Sequence, residues 1–447
     1  MKKRIRCVVT FLLVLILAGC ANSENETMKD TNQEAIILTY GYIDIYDFKD
    51  LDSSIQEQIV SFNKSQNDYY IKIVKYGEDN YADGLKALNA DISSGKGPDI
   101  IEIPNETLLH QYGAKGIIDD LYSYMNEGEW PQREDFMENI LYSFETEGKL
   151  YGLTPFFKIL SVIGNPDYIQ SEQVTFTQLK EMYEENKDND DITVYNVLSK
   201  NFLLAQCIIP SIDSFVDMEN KSCDFMNPEF QELLEFSSQF DMINGFEVIG
   251  DIVSVQEDTM FLYYGGVMGC FREYTHYREL TGNSGLLIGF PSIAGCTPEI
   301  TTDFPFLCIN SKSKHKDAAW QFLCTFLKDS YLIDDDKLNN SRGFPVTQRG
   351  FDGVAGMQID RTKYASGEGN DTDITGITIS YPNLSVTQED VEYIKEIINN
   401  IKRPSEYYGE IKNIIEEEID SYWNGSKTVQ DVMEIIQKRA QLYLNEI

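Results

Sequence analysis

Residues 81–106, YADGLKALNADISSGKGPDIIEIPNE, constrain the fold more than any other stretch of this chain. Tyr81, Leu85, Leu88 and Ile92 recur at helical spacing and form one apolar stripe about three turns long. Ser93-Ser94-Gly95 ends the helix, because glycine tolerates the left-handed conformation that closes a helix. Pro98 cannot continue it, and Gly97 before a proline is pushed towards extended geometry. Ile100-Ile101-Glu102-Ile103 follows as a short strand of the buried, parallel kind. Pro104-Asn105 stops that strand, and Asn105 is placed to cap a helix beginning at Glu106. The product is an αβα unit with Asn105 and Glu106 at the carboxyl end of its strand, where open α/β sheets hold their ligands.

The preceding text extends the pattern. Ile36 to Tyr40 gives a first strand, Ile55, Ile59 and Phe62 share one helix face, and Tyr69 to Val74 gives a second strand. The chain therefore opens β-α-β-α-β, the order that builds a parallel sheet. With 447 residues it exceeds what a single core organises, so two domains are expected.

Charge and cysteine usage exclude several classes. A formal charge of −36 lacks the clustered Lys and Arg that nucleic acids need. Of the eight cysteines, Cys207, Cys270, Cys308 and Cys324 sit in apolar text, as small core residues do. Cys223 and Cys296 lie in loop-like text; the spacing specifies no disulfide, and mostly free thiols are expected. There is no CxxC, and only three histidines, so no metal site or cofactor is expected. The acidic run 184–191 lacks the glycine and closing glutamate of a calcium loop and fits a solvated turn. No nucleophile elbow, Walker A loop or dinucleotide fingerprint occurs.

The N-terminus carries Lys2, Lys3, Arg4 and Arg6 before an apolar run, Val8 to Leu17, too short to span a bilayer. Leu17-Ala18-Gly19-Cys20 resembles a bacterial lipobox, which implies cleavage before Cys20 and lipidation of its sulfur. Residues 21–35 are polar and fit a flexible tether.

Gly97-Pro98-Asp99-Ile100-Ile101 resembles the GPDI strand of family 1 extracellular solute-binding proteins, the maltose-binding-protein-like, sugar-binding group. Further segments match in order. Gly148-Lys149-Leu150-Tyr151-Gly152-Leu153-Thr154-Pro155 resembles the family's first crossing between lobes, and Ser161 to Asn165 its "LxYN". Thr175 to Leu179 resembles a "TWdEL" helix start, with Thr175 or Thr177 as cap. Leu262 to Tyr274 resembles the segment that bears a ligand-stacking aromatic, with Tyr274 or Phe271 in that place and Arg272 where the family has glycine. Gly289-Phe290-Pro291, Ser311 to Leu323, Gly343-Phe344-Pro345-Val346 and Tyr422 to Ile436 match the return strand, a long helix, the third crossing and the closing helix. Residues 351–384 match nothing clearly.

The resemblance implies an α/β, two-lobe periplasmic-binding-protein-like fold of type II, each lobe a mostly parallel mixed sheet flanked by helices. Residues 1–20 would be the signal peptide, 36–155 with 292–344 lobe 1, and 156–291 with 345–447 lobe 2. Three crossings are expected, near Pro155, across Ser292 to Asp303, and across Arg342 to Val346. The implied function is capture of an oligosaccharide between the lobes, without catalysis, and its delivery to the permease subunits of an ABC importer. A monomer anchored by lipid on the outer face of the cell membrane would do this. Ligand contacts would come from Tyr42, Asp44, Asn105, Glu106, Phe156, Lys158, Tyr264, Phe271, Arg272, Tyr274 and Phe344, with Lys158 leaving room for an acidic sugar. A surface polysaccharide hydrolase and a sensor lipoprotein that presents its ligand to a receptor are the alternatives.

Overall fold

The computed structural model describes residues 35–43, 51–77, 80–125, 130–171, 173–243, 260–263, 267–280, 285–333, 342–361, 369–372, 378–381, 385–401 and 409–446. The first sheet has four strands in the order Phe306–Ile309, Ile100–Ile103, Ile36–Ile43 and Tyr69–Tyr76. Ile36–Ile43 runs parallel to both Tyr69–Tyr76 and Ile100–Ile103, and Phe306–Ile309 returns antiparallel. All four residues of Ile100–Ile103 are buried, as a strand covered on both faces must be, and Glu102 among them is buried with Tyr40 as its partner.

Helix ends follow the side-chain chemistry. The Ser53–Ser65 helix is capped by Asp52, which accepts from the Ser54 N–H at 2.8 Å, and it buries Ile55, Ile59 and Phe62. Asn80 caps Tyr81–Ser93 by accepting from the Asp83 N–H at 2.9 Å, and Gly95 closes that helix at φ +74°. Leu88 and Ile92 of its stripe are buried, while Tyr81 and Leu85 are half-buried against the core. Asn105 caps Glu106–Ala114 through the Leu108 N–H at 2.9 Å. Thr175, not Thr177, caps Phe176–Asn186, in a reciprocal box with Gln178.

The chain changes sheets at one residue. Strand Phe156–Leu160 pairs with Val267–Met268 and Glu299–Thr301, and with the short Phe344–Pro345 strand. Strand Val162–Gly164 belongs instead to a sheet ordered Leu286–Ile288, Val162–Gly164, Met260–Tyr263, Thr193–Tyr195. Ser161 between them is buried, and its hydroxyl donates to the Ile288 carbonyl at 2.9 Å, which fixes the step from one sheet to the other. At the third crossing Gly343 has φ +121°, and a Cβ there would lie 2.6 Å from the Phe157 carbonyl oxygen, so only glycine lets Phe344 pair with Phe157.

Two apolar cores result. The first is built on the four-stranded sheet and the helices Ser53–Ser65, Tyr81–Ser93 and Lys316–Leu323, the last burying Ala318, Ala319, Phe322 and Leu323. The second gathers Val162, Phe176, Leu203, Phe230, Leu262 and Ile288 with Ile411, Ile415, Val432 and Ile436 of the last two helices. After residue 345 the chain contributes to both. Phe351, Val354, Val391 and Ile394 pack in the first core, and Gly409–Trp423 and Val429–Glu446 pack in the second. Among the described residues no helix is long and apolar enough to cross a membrane, and all six cysteines are free thiols.

Candidate functional site

The sheet of Val267–Met268, Phe156–Leu160 and Glu299–Thr301 has two unlike faces. Directly paired residues share a face, and successive residues alternate. Ile300 opposes Ile159, Met268 opposes Ile159, and Phe344 opposes Phe157; all of these are buried. On the other face Thr301 opposes Lys158, while Glu299 and Val267 flank Leu160; these five are only half-buried. This sheet is built from segments at the first two expected crossings; its sealed face belongs to the first core, Leu160 of its half-open face packs against the second, and that half-open face is the candidate ligand floor.

Charged groups from both cores converge on Glu299. Burial pushes its carboxyl up to about 7, and Glu106 and Asp213 push in the same direction while Lys412 opposes them. Glu106 opens the Glu106–Ala114 helix beside the first sheet. Asp213 lies in the Ile209–Ser214 turn and Lys412 in the Gly409–Trp423 helix, both beside the second core. Lys158 is paired with Asp303 at 2.5 Å, its own side chain 14% exposed against 68% for the aspartate. The floor thus offers carboxyl groups, the Thr301 hydroxyl and the neutralised Lys158–Asp303 pair, with the half-exposed Lys412 itself 3.9 Å from Glu416.

A second polar cluster lies beneath the first sheet's carboxyl edge. Tyr40 is fully buried and its hydroxyl donates to Glu102 Oε2 at 2.5 Å. Burial pushes the Glu102 carboxyl up to about 7; the Tyr40 hydrogen bond opposes this and Asp52 adds to it. Ser54 donates to Asp52 and receives the Tyr331 hydroxyl at 3.2 Å, and Arg342 at the third crossing stands 3.9 Å from Asp52. This network ties the start of the first helix to the third crossing.

The residues expected at the ligand are distributed unevenly. Glu106 and Asn105 are exposed at the strand's carboxyl end, and Lys158 lies on the half-open face. The aromatic rings lie inside. Phe156 packs against Phe304 and Tyr331 at 6.4 and 5.9 Å between centroids, although it shares the Lys158 face. Phe271 and Phe344 meet at 5.0 Å within a buried cluster that includes Phe351. Tyr274 is buried and stacks on Tyr393 at 5.3 Å, and burial raises its hydroxyl. Tyr42 is buried, and Arg272 is half-buried on the Phe271–Leu280 helix. Asp44, Tyr264 and Cys20 lie outside the described residues. Sequence reasoning missed Glu299, Asp213 and Lys412. The one available signal was the alternation in Pro298-Glu299-Ile300-Thr301 within an expected crossing, which turns Glu299 away from the side that buries Ile300. Among the described residues no group of His, Cys, Asp and Glu is arranged to hold a metal.

Comparison with known proteins agrees with this architecture. Residues 47–206 match the family model described as bacterial extracellular solute-binding protein. The galactooligosaccharide-binding protein of Bacillus subtilis is 23% identical over 210 residues, and that match spans 44% of each chain, so this chain covers less than half of that curated relative. The sugar-binding protein MalE of Xanthomonas citri superposes over 92% of this chain and 98% of its own, with a TM-score of 0.56 at 11% identity. An ABC substrate-binding protein from Listeria monocytogenes, solved in complex with cycloalternan, covers the same shares with a TM-score of 0.51 at 15% identity. Residues 47–206 are thus similar in sequence to the bacterial extracellular solute-binding proteins, and the chain shares the fold of solved sugar-binding proteins.

Proposed function

We propose that this protein captures an oligosaccharide outside the cell and hands it, unchanged, to the permease subunits of an ABC importer. The observation that carries the reading is the crossing-strand sheet, whose sealed face joins the first core and whose half-open face bears polar groups and meets the second core at Leu160. An open sheet face where two cores meet is where a ligand can be held, and hinge closure over a ligand is what the arrangement serves. The galactooligosaccharide and cycloalternan named for the two relatives support a carbohydrate as the solute. The lobes of this proposal follow the two cores, so Phe351, Val354, Val391 and Ile394 move with the first and 409–446 with the second. Glu106, Asn105 and Lys158 face the solute from the first lobe and the floor, and Lys412 and Asp213 from the second. The protein works as a monomer anchored through a lipid on Cys20, because the lipobox-like Leu17-Ala18-Gly19-Cys20 precedes a polar tether long enough to hold the lobes off the surface.

A thermal-shift screen of oligosaccharides tests the proposal. A bound ligand stabilises by RT ln(1 + [L]/Kd), about 2.7 kcal/mol at a hundredfold excess over Kd, which moves the melting temperature measurably. A panel of neutral and charged oligosaccharides that produces no shift counts against it.

A further inference from the structure

We infer that the free edge of the first sheet is a self-association surface, kept closed by the side-chain amides of Asn63 and Gln66, and that the partner it fits once opened is the same strand of a second copy. The inference bears on the monomer of the proposed function and is independent of the solute.

Strand Tyr69–Tyr76 is the outermost of its sheet. The Ile36 N–H donates to the Asp68 carbonyl at 2.9 Å, so the backbone groups of Asp68, and by alternation those of Tyr70, Lys72 and Val74, face the neighbouring strand. Tyr69, Ile71, Ile73 and Lys75 therefore turn their N–H and C=O groups outward, the row that invites another strand. The side chains suit such pairing. YYIKIVKY is rich in aromatic and β-branched residues, and Tyr70 and Ile73 are 52% and 40% exposed.

Two of the four outward residues are covered in one specific way. Asn63 Nδ2 donates to the Ile71 carbonyl at 3.0 Å, and Asn63 Oδ1 accepts from the Ile71 N–H at 2.7 Å. Gln66 repeats the arrangement at Tyr69, with both bonds at 2.8 Å. Each amide thus makes, with a single residue, the two bonds that an opposing residue exchanges in an antiparallel ladder. An amide can do so because it both donates and accepts, whereas a carboxylate only accepts and an ammonium only donates. Both side chains come from the end of the Ser53–Ser65 helix, Asn63 in its last turn and Gln66 as its cap. Beyond them Ile73 and Lys75 alone remain outward, shorter than the usual strand of about five residues.

The partner follows from the register. An antiparallel pairing of two copies about Ile71 sets Ile71 against itself, Tyr69 against Ile73 and Tyr70 against Lys72. Apolar and amphipathic side chains then meet across the edge, and neither Lys72 nor Lys75, the charged residues of the strand, is directly opposed by a lysine. That register is centred on the residues the amides cover. The formal charge of −36 opposes the approach of two copies, but it is screened beyond about 8 Å at physiological ionic strength and does not protect an edge at contact.

The test is sedimentation equilibrium of the purified protein and of an Asn63→Ala/Gln66→Ala variant, with amide exchange over the Tyr69–Tyr76 strand read by mass spectrometry. The expected result is a wild-type monomer up to about 200 µM and, in the variant, a dimer that forms reversibly within that range. In the dilute, monomeric variant the Tyr69 and Ile71 amides should exchange about tenfold faster than in wild type, and protection should return as the dimer forms. Adding Ile73→Pro to the variant should restore the monomer, because it deletes an outward N–H and leaves the bonds to the neighbouring strand in place. If the double variant folds poorly, Asn63→Ala alone carries the same test, since it opens the centre of the register. A variant that stays monomeric, a dimer that survives Ile73→Pro, exchange unchanged in the dilute variant, or a wild-type protein already paired through this edge overturns the inference. Each of these leaves solute capture standing.

Discussion

Glu102 offers a test of the first core that needs no ligand. Glu102 is 8% exposed, and burial with the Asp52 charge holds its carboxyl at about 7, where an unfolded glutamate titrates near 4.5. A group whose folded pKa is raised binds more protons in the folded state between those two values. Stability is therefore highest below about pH 4.5, falls as pH rises towards 7, and is flat above it. At 1.36 kcal/mol per unit, the full loss is about 3 kcal/mol for this one group. Glu102→Gln removes the titration while keeping an oxygen to accept the Tyr40 hydroxyl, which donates at 2.5 Å. Urea denaturation of both proteins should therefore show near-equal stability at about pH 4.5 and a variant more stable by about 3 kcal/mol at pH 8. Glu299 titrates in the same direction, but it is present in both proteins and cancels in the difference. Tyr40→Phe is the companion. It deletes the bond that favours the ionised form, so it should lower stability by about 1 kcal/mol and move the midpoint upward. A stability difference between Glu102→Gln and wild type that is the same at both pH values would refute the reasoning.

Three further outcomes follow from named contacts. Tyr274→Ala removes a buried ring stacked on Tyr393 and should cost about 3 to 5 kcal/mol of stability in urea melts of the unliganded protein. Asn105→Ala removes the cap on Glu106–Ala114 and should cost about 1 kcal/mol in the same assay, with a loss of affinity on top if the helix start faces the solute. Cys20→Ala should abolish metabolic labelling by a fatty-acid analogue while the lobes still fold; labelling that persists in the variant contradicts the anchor.

What the sequence made legible is what local chemistry decides. The helix from Tyr81, its glycine stop, the Ile100–Ile103 strand and the Asn105 cap all rest on neighbours within a few residues, and each is present. The same holds for the face of Ile55, Ile59 and Phe62. The site was less legible because its aromatic residues are ambiguous in text. Phe271 and Tyr274 sit three apart on one helix, and only the placement of the Gln348–Arg361 and Gln388–Asn400 helices shows that both rings meet protein instead of solvent. Glu299 was passed over for the opposite reason. It is one of many acids in an acidic chain, and its distinction comes from register with Leu160 and from Asp213 and Lys412, which are far from it in sequence. The division of the chain after residue 345 between two cores also depends on long-range packing that no local pattern encodes.

The central claim is binding by closure without chemistry, and one measurement addresses it most directly. Small-angle scattering of the purified protein is recorded with and without a neutral galactooligosaccharide at about pH 6, and the sugar is recovered afterwards and analysed by mass spectrometry. The account predicts a smaller radius of gyration in the liganded protein and a sugar recovered intact. An unchanged radius at saturation, or a sugar returned as fragments in amounts exceeding the protein, would contradict it.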